Sequence, residues 1–429
     1  MSKIDQPEFL LELPVDRKPS PPVEIHEELR GFSDFGTSTR IFETNCAIAD
    51  SETVGVQTYV NEFWTSKQRA CHSLHEISYR ACFKPQLPRF FIERLTQPGD
   101  SVYDPFLGRG TTLLESALLG RRPVGCDINP LSQVLLRPRL HPPLQEDVHS
   151  RLTQLELTDH DEFPEDLLVF YHPDTLKEIA ALKKYFLTRV AGNAMDPIDE
   201  WIRMVAVNRL TGHSPGFFSV YTLPPNQATS VKAQMRINEK RSQTPPRRHI
   251  KPILLKKSKS LLSDLDLATQ KKLCRAGKQS LIVTRPASST PDIPSNTIAL
   301  VVTSPPFLDI VDYAGDNWLR CWFVGIDPKS VALTVPKKLE GWKTAMTQVF
   351  HELARVVRPG GHVAFEVGEV RGGTIKLEET VVPCGMEAGL RPELILINDQ
   401  TFTKTANCWG VDNQSKGTNT NRIVLFRKP

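Results

Sequence analysis

The 429-residue chain predicts an α/β fold in which a mostly parallel, twisted sheet is covered by helices on both faces. Three observations carry this. Short apolar runs at 101–103, 123–126, 281–283, 298–303 and 362–367 alternate with longer helical patterns, as buried parallel strands with crossover helices do. Proline and glycine punctuate the joints, at Pro98-Gly99-Asp100 and Arg358-Pro359-Gly360-Gly361. Two final apolar runs, 394–397 and 422–426, have no helical pattern between them and read as an antiparallel hairpin at the sheet edge.

Taken in order, residues 1–57 are acidic, weakly periodic and proline-containing (Pro19-Ser20-Pro21-Pro22), which predicts a poorly ordered arm. The core starts at 58, with Phe83-Lys84-Pro85 leading into a helix over 88–95, and its first half runs to 137. Residues 138–280 turn mainly helical, with amphipathic runs at 167–187 and 200–210, and are read as an inserted domain. The second half of the core spans 281–429, with helical stretches at 317–323, 342–357 and 377–388 between its strands.

Two segments carry chemistry. The strand at 101–103 runs into Asp104-Pro105-Phe106-Leu107-Gly108-Arg109-Gly110-Thr111-Thr112, then a helix over 113–119 and a strand ending in Asp127. Gly108 and Gly110 permit positive φ and close backbone approach, the helix start offers free N–H groups, and an acid at the second strand tip suits a ribose diol. A glycine pattern alone is a weak signal; strand, glycine turn, helix, strand and acid in this order is a strong one. Thr303-Ser304-Pro305-Pro306-Phe307 closes the run 298–302 with a hydroxyl, two prolines lacking amide hydrogens and an aromatic ring, a set suited to a planar amine. By itself that pentapeptide reads equally as a turn that ends a strand.

Phe83-x-Pro85, DPFLGRGTT at 104–112, GCDINP at 125–130 and TSPPF at 303–307 together resemble the S-adenosylmethionine-dependent amino-methyltransferases of DNA. The resemblance covers roughly 72–135 and 281–370. It implies a Rossmann-like methyltransferase fold, with 58–137 as the cofactor-binding half and 281–429 as the catalytic half. The inserted domain would serve target recognition, and the motif order is nearest the family's alpha arrangement. It assigns S-adenosylmethionine to Phe83, Pro85, Asp104, Pro105, Phe106, Gly108, Gly110, Thr111, Thr112, Asp127 and Asn129, and catalysis to Ser304, Pro305, Pro306 and Phe307, with no metal. Serine before the prolines implies transfer to the N4 amine of cytosine in double-stranded DNA, on a flipped base, with Phe307 stacking on the ring and Tyr313 supporting it. Adenine N6 or RNA as target remains open, as does a non-catalytic DNA-binding module. A cognate restriction endonuclease is an admissible partner. Two positions depart from the family: no acid follows the third strand, where Thr284-Arg285-Pro286 stand, and Arg109 occupies a place often held by serine, its side chain expected to point outward.

Composition fits an intracellular enzyme. Eight cysteines without a CxxC pair imply reduced thiols, and no membrane-length apolar run or signal-peptide pattern is present, which predicts a cytoplasmic protein. Net charge is only +4, but residues 231–260 hold ten Lys and Arg against one Glu, a stretch that reads as a partner for DNA phosphate or as a solvated linker. His72 and His75 lack a third ligand at close spacing, and Cys384 reads as packing. Asp316, Asn317 and Arg320 are balanced between DNA contact and bracing of their helix. Residues 407–421 read as a loop toward DNA or a plain hairpin connection.

Overall fold

The computed structural model describes residues 25–49, 52–64, 71–80, 82–157, 163–223, 225, 228–306, 313–331, 336, 338–370, 375–399 and 420–429. The strands are β1 (Arg40–Ala49), β2 (Glu52–Asn61), β3 (Ser101–Asp104), β4 (Arg122–Asp127), β5 (Leu281–Thr284), β6 (Ile298–Thr303), β7 (Val357–Val367), the short pair β8 (Glu369–Val370) and β9 (Ile375–Lys376), β10 (Arg391–Asp399) and β11 (Thr420–Arg427). A nine-stranded sheet runs β1-β2-β10-β11-β7-β6-β3-β4-β5. Strands β5, β4, β3, β6 and β7 are parallel, β11 runs against β7 and β10, and β2 lies parallel to β10 and antiparallel to β1.

Alternation along β3 and β6 shows why this sheet is buried on both faces. Tyr103 and Val301 pack into one apolar layer, while Val102, Leu300 and Val302 pack into the other. The first layer is covered by α12 (Leu339–Val356) and α13 (Leu377–Glu387), the second by α1 (Ile25–Gly31) and α2 (Gln86–Leu95). The remaining helices are α3 (Thr111–Leu118), α4 (Leu131–Leu140), α5 (Gln145–Gln154), α6 (Pro173–Ala191), α7 (Pro197–Val207), α8 (Val231–Lys240), α9 (Ile250–Leu261), α10 (Leu267–Lys278) and α11 (Tyr313–Val324). Side chains cap helix starts: Asp196 accepts from the amides of Ile198 and Asp199 ahead of α7, and Ser230 from Ala233 ahead of α8.

Three expectations need correction. The β10–β11 hairpin exists but lies inside the sheet, because β2 adds to its β10 side and β1 forms the edge. Residues 40–49 and 52–57, expected in a poorly ordered arm, belong to β1 and β2, where Cys46 and Val56 are buried. Residues 1–24 lie outside the described residues. The boundary at 138 falls inside α4, and the helices after it share one apolar cluster with α3 and α4. Among the described residues no helix is long and apolar enough to cross a membrane, and no group of His, Cys, Asp or Glu is arranged to hold a metal.

Candidate active site

The chain builds outward from β3 in two directions, through β4 to β5 and later through β6 to β7, so the carboxyl ends of β3 and β6 border the point where strand order reverses. Loops leaving two such strands diverge and open a crevice. A cavity of about 350 Å³ lies there, lined by Asp104 to Gly108 after β3, Asp127 to Asn129 after β4, Pro286 to Ser288 after β5, and Ser304 and Pro306 after β6. Gly108 and Ser304, nearly two hundred positions apart, thus face one space. Trp342, Met346 and Val349 of α12 close it on one side, and Tyr79, Arg80, Cys82 and Phe83 on another.

The glycine turn is held by specific bonds. Gly108 has φ +51° and Gly110 φ +81°, both in the left-handed region that favours glycine; a β-carbon on Gly110 would sit 2.8 Å from Leu136 Cδ1. Asp127 accepts from the amide of Gly108 at 2.7 Å and from that of Asn129 at 2.8 Å, leaving lone pairs on both oxygens for two further donors. Asp104 accepts from the Thr303 hydroxyl at 2.6 Å and the Phe106 amide at 3.1 Å, and the Thr112 hydroxyl donates to the Val302 carbonyl at 3.1 Å. These bonds join the loop after β3 to strand β6. Burial pushes the Asp104 carboxyl up to about 7 although its hydrogen bonds oppose the shift.

Of the residues assigned to the cofactor by resemblance, Phe83, Asp104, Pro105, Phe106, Gly108, Thr111, Asp127 and Asn129 line the cavity. Gly110 caps α3, Thr112 ties it to β6, and Pro85 caps α2, all three away from the lining. Of the catalytic set, Ser304 and Pro306 line it and Pro305 is buried beside them. Phe307 and the side chain of Tyr313 lie outside what is described. The Pro306 carbonyl is already engaged, accepting from the Trp342 indole N–H at 2.9 Å.

Sequence reasoning missed Glu366. It sits on β7, next to β6, 6 % exposed, with its carboxyl accepting from the amide of Asn421; the register Thr303↔Phe365 sets it beside Ser304, the residue that follows β6. Burial pushes it up to about 7, against the pull of Asn421 and Ser304. An acid at an inward position of a β-run such as Val363-Ala364-Phe365-Glu366-Val367 was the available signal.

Other expectations resolve structurally. Arg109 does not point outward: its guanidinium donates to the carbonyls of Ile77 at 2.9 Å, His75 at 3.3 Å and Phe83 at 3.4 Å, because three carbonyls of the preceding segment converge there. Asp316 pairs bidentately with Arg80, and Arg320 bonds Asn317 and the carbonyls of Ser78 and Pro225, so these residues brace α11. His75 bonds Glu115 at 2.7 Å, and burial lowers it to about 4. Within 231–260, Arg247 pairs with Asp174 and Glu178, Lys257 with Glu76, and Arg241 lies over Tyr221; Lys232, Arg236, Lys240, Lys256 and Lys259 are exposed.

A parallel sheet whose strand order reverses between β3 and β6, with antiparallel β11 between β7 and β10 and a ligand crevice at its carboxyl ends, is a Rossmann-like methyltransferase fold. Residues 39–132 match the family model of DNA methylase, of N6/N4 type. Among curated proteins, the chain is 24% identical over 291 residues to the type II methyltransferase M.BsoBI of Geobacillus stearothermophilus, covering 63% of this chain and 55% of that one. It is 30% identical over 122 residues to the type II methyltransferase M.MvaI of Kocuria varians, 28% of this chain and 25% of that one. In both cases the match spans less than two thirds of the relative. Among solved structures, a geranyl diphosphate methyltransferase in complex with SAM aligns over 81% of this chain and 86% of its own at 9% identity and a TM-score of 0.33. The resemblance read from the four motifs is thereby upheld: the family these sequence matches support is the DNA amino-methyltransferases, with the N4 and N6 types undivided.

Proposed function

We propose that the chain transfers a methyl group from S-adenosylmethionine to the N4 amine of cytosine in double-stranded DNA. One observation carries the reading furthest: a serine at the cavity wall with a buried carboxyl, Glu366, beside it on the adjoining strand. The cavity fits the cofactor. Its size is in the range of small-ligand sites, Asp127 has acceptor capacity for a diol, the glycine turn admits close approach, and Ile128, Met346 and Val349 supply apolar walls. When bound, S-adenosylmethionine supplies an electrophilic methyl on sulfur.

The chain's own residues do the rest. A Ser304 hydroxyl that donates to ionised Glu366 turns its lone pairs outward, where they accept a hydrogen of the target amine. With the Pro305 carbonyl as second acceptor, both amine hydrogens are held and the nitrogen lone pair is freed from the ring for attack. The proton released afterwards has a destination in Glu366 through Ser304, a role serine alone is too weak a base to fill. Alignment rather than covalent catalysis supplies the rate gain. The base is extruded from the duplex, since a stacked amine does not reach the pocket, and Phe307 stacks on it by family analogy. The exposed Lys232, Arg236 and Lys240 of α8 would meet DNA phosphates. The type II names of the relatives favour a restriction-modification setting with a cognate endonuclease.

Incubation with methyl-labelled S-adenosylmethionine and duplex DNA, followed by digestion to nucleosides, tests this. Labelled N4-methylcytosine, abolished in Ser304→Ala while cofactor affinity is kept, is the expected result. Labelled N6-methyladenine alone would move the assignment to adenine. Label entering only RNA, or none entering duplex DNA, would overturn it.

A further inference from the structure

We infer that Gln348, on α12, reads the amino edge of the cofactor's adenine and takes the place of the acid absent after β5; this rests on the cofactor reading above. With Asp127 on the ribose, the base would lie farther along the cavity toward β5, which pairs with β4 in register Asp127↔Thr284. The wall there is Ile128, Ala287, Met346 and Val349, an apolar slot for a flat ring. The nearest carboxylate after β5, Asp292, is held by Arg285 at 2.9 Å, and neither residue lines the cavity. Of the other polar side chains, Asn129 has its carboxamide oxygen engaged by the amide of Leu131 at 3.0 Å, which leaves Ser288 and Gln348.

Their chemistries differ. Adenine presents a donor, the 6-amino group, beside an acceptor, N1. A carboxamide offers an acceptor beside a donor at matching spacing, the pairing by which Gln and Asn grip adenine edges in DNA. One hydroxyl serves a single position. Gln348 is exposed on the cavity rim, its side chain makes no hydrogen bond to a described residue, and its helix is fixed by buried Trp342, Met346, Val349 and Phe350. The amide is therefore available and its backbone is rigidly carried.

Calorimetric titration with S-adenosylhomocysteine and with its deaminated analogue, which carries hydrogen in place of the 6-amino group, tests the inference without any methyl transfer. The wild-type chain is expected to prefer the adenine compound about tenfold or more, the magnitude of a lost hydrogen-bonded pair. Gln348→Leu should weaken the adenine compound by roughly that factor and the deaminated compound less, narrowing the preference. Gln348→Glu, which keeps an acceptor for the 6-amino group, should restore part of it. Gln348→Leu binding both compounds as the wild type does, or losing both equally, overturns the assignment. A wild-type chain that binds neither compound refutes the cofactor reading itself, a result distinct from these.

Discussion

Replacing Glu366 by Gln should stabilise the protein while destroying its chemistry, and the stabilisation should grow with pH. The carboxyl is buried and pushed up from 4.5 to about 7. Between those values the folded chain keeps a proton that the unfolded chain has lost, so stability falls as pH rises through this window. Above pH 7 the full cost applies. At about 1.4 kcal/mol per tenfold change in proton affinity, keeping Glu366 ionised in the fold costs about 3 kcal/mol. Glu366→Gln is nearly isosteric, keeps an acceptor for Asn421 and carries no charge, so it escapes that cost. Urea unfolding of both proteins from pH 4 to 8.5 should give a small difference near pH 4.5 that widens to about 3 kcal/mol in favour of the variant above pH 7. Asp104 titrates in both proteins and cancels in the difference. In the same samples, wild-type methyl transfer should rise with pH through about 7, and the variant should lose that limb with most of its rate. A stability difference that is flat or narrows with pH, or a variant with wild-type turnover, would refute the proton-acceptor argument.

Other outcomes follow from the same geometry. Gly110→Ala should destabilise the fold by about 2–4 kcal/mol, combining left-handed backbone strain with a clash at Leu136, read from denaturant midpoints. Asp127→Ala should weaken S-adenosylhomocysteine binding about a hundredfold, since it removes the diol acceptor and frees the amides of Gly108 and Asn129; calorimetry measures it. Changing Lys232, Arg236 and Lys240 together to Ala should flatten the salt dependence of duplex binding by about 2–3 in log–log slope, with cofactor affinity unchanged, as read by fluorescence anisotropy across salt.

Local signals had made much of this legible. The glycine turn, the acid at Asp127 and the proline pair at 305–306 announced themselves because each solves a local backbone or charge problem. Strand β6 and the run of helices after 138 were legible from periodicity alone. Pairing was not: whether β10 and β11 end the sheet depends on β2, a partner more than three hundred residues away whose own pattern is weak. The inward turn of Arg109 depends on where the carbonyls of His75, Ile77 and Phe83 converge, which no spacing reveals. Glu366 escaped for a related reason. A single acid in an apolar strand announces a buried charge, and only the pairing of β7 with β6 says that Ser304 is its neighbour.

Arg109 and the fully buried Arg139 reach in complementary directions. The first grips carbonyls of the 75–83 segment, and the second donates to the Leu135, Leu74 and Arg109 carbonyls. Two guanidinium groups thereby weld three separate pieces of chain into one cradle before any guest arrives. An incoming molecule meets this part of the wall already braced and, there, surrenders mainly its own freedom and that of displaced water.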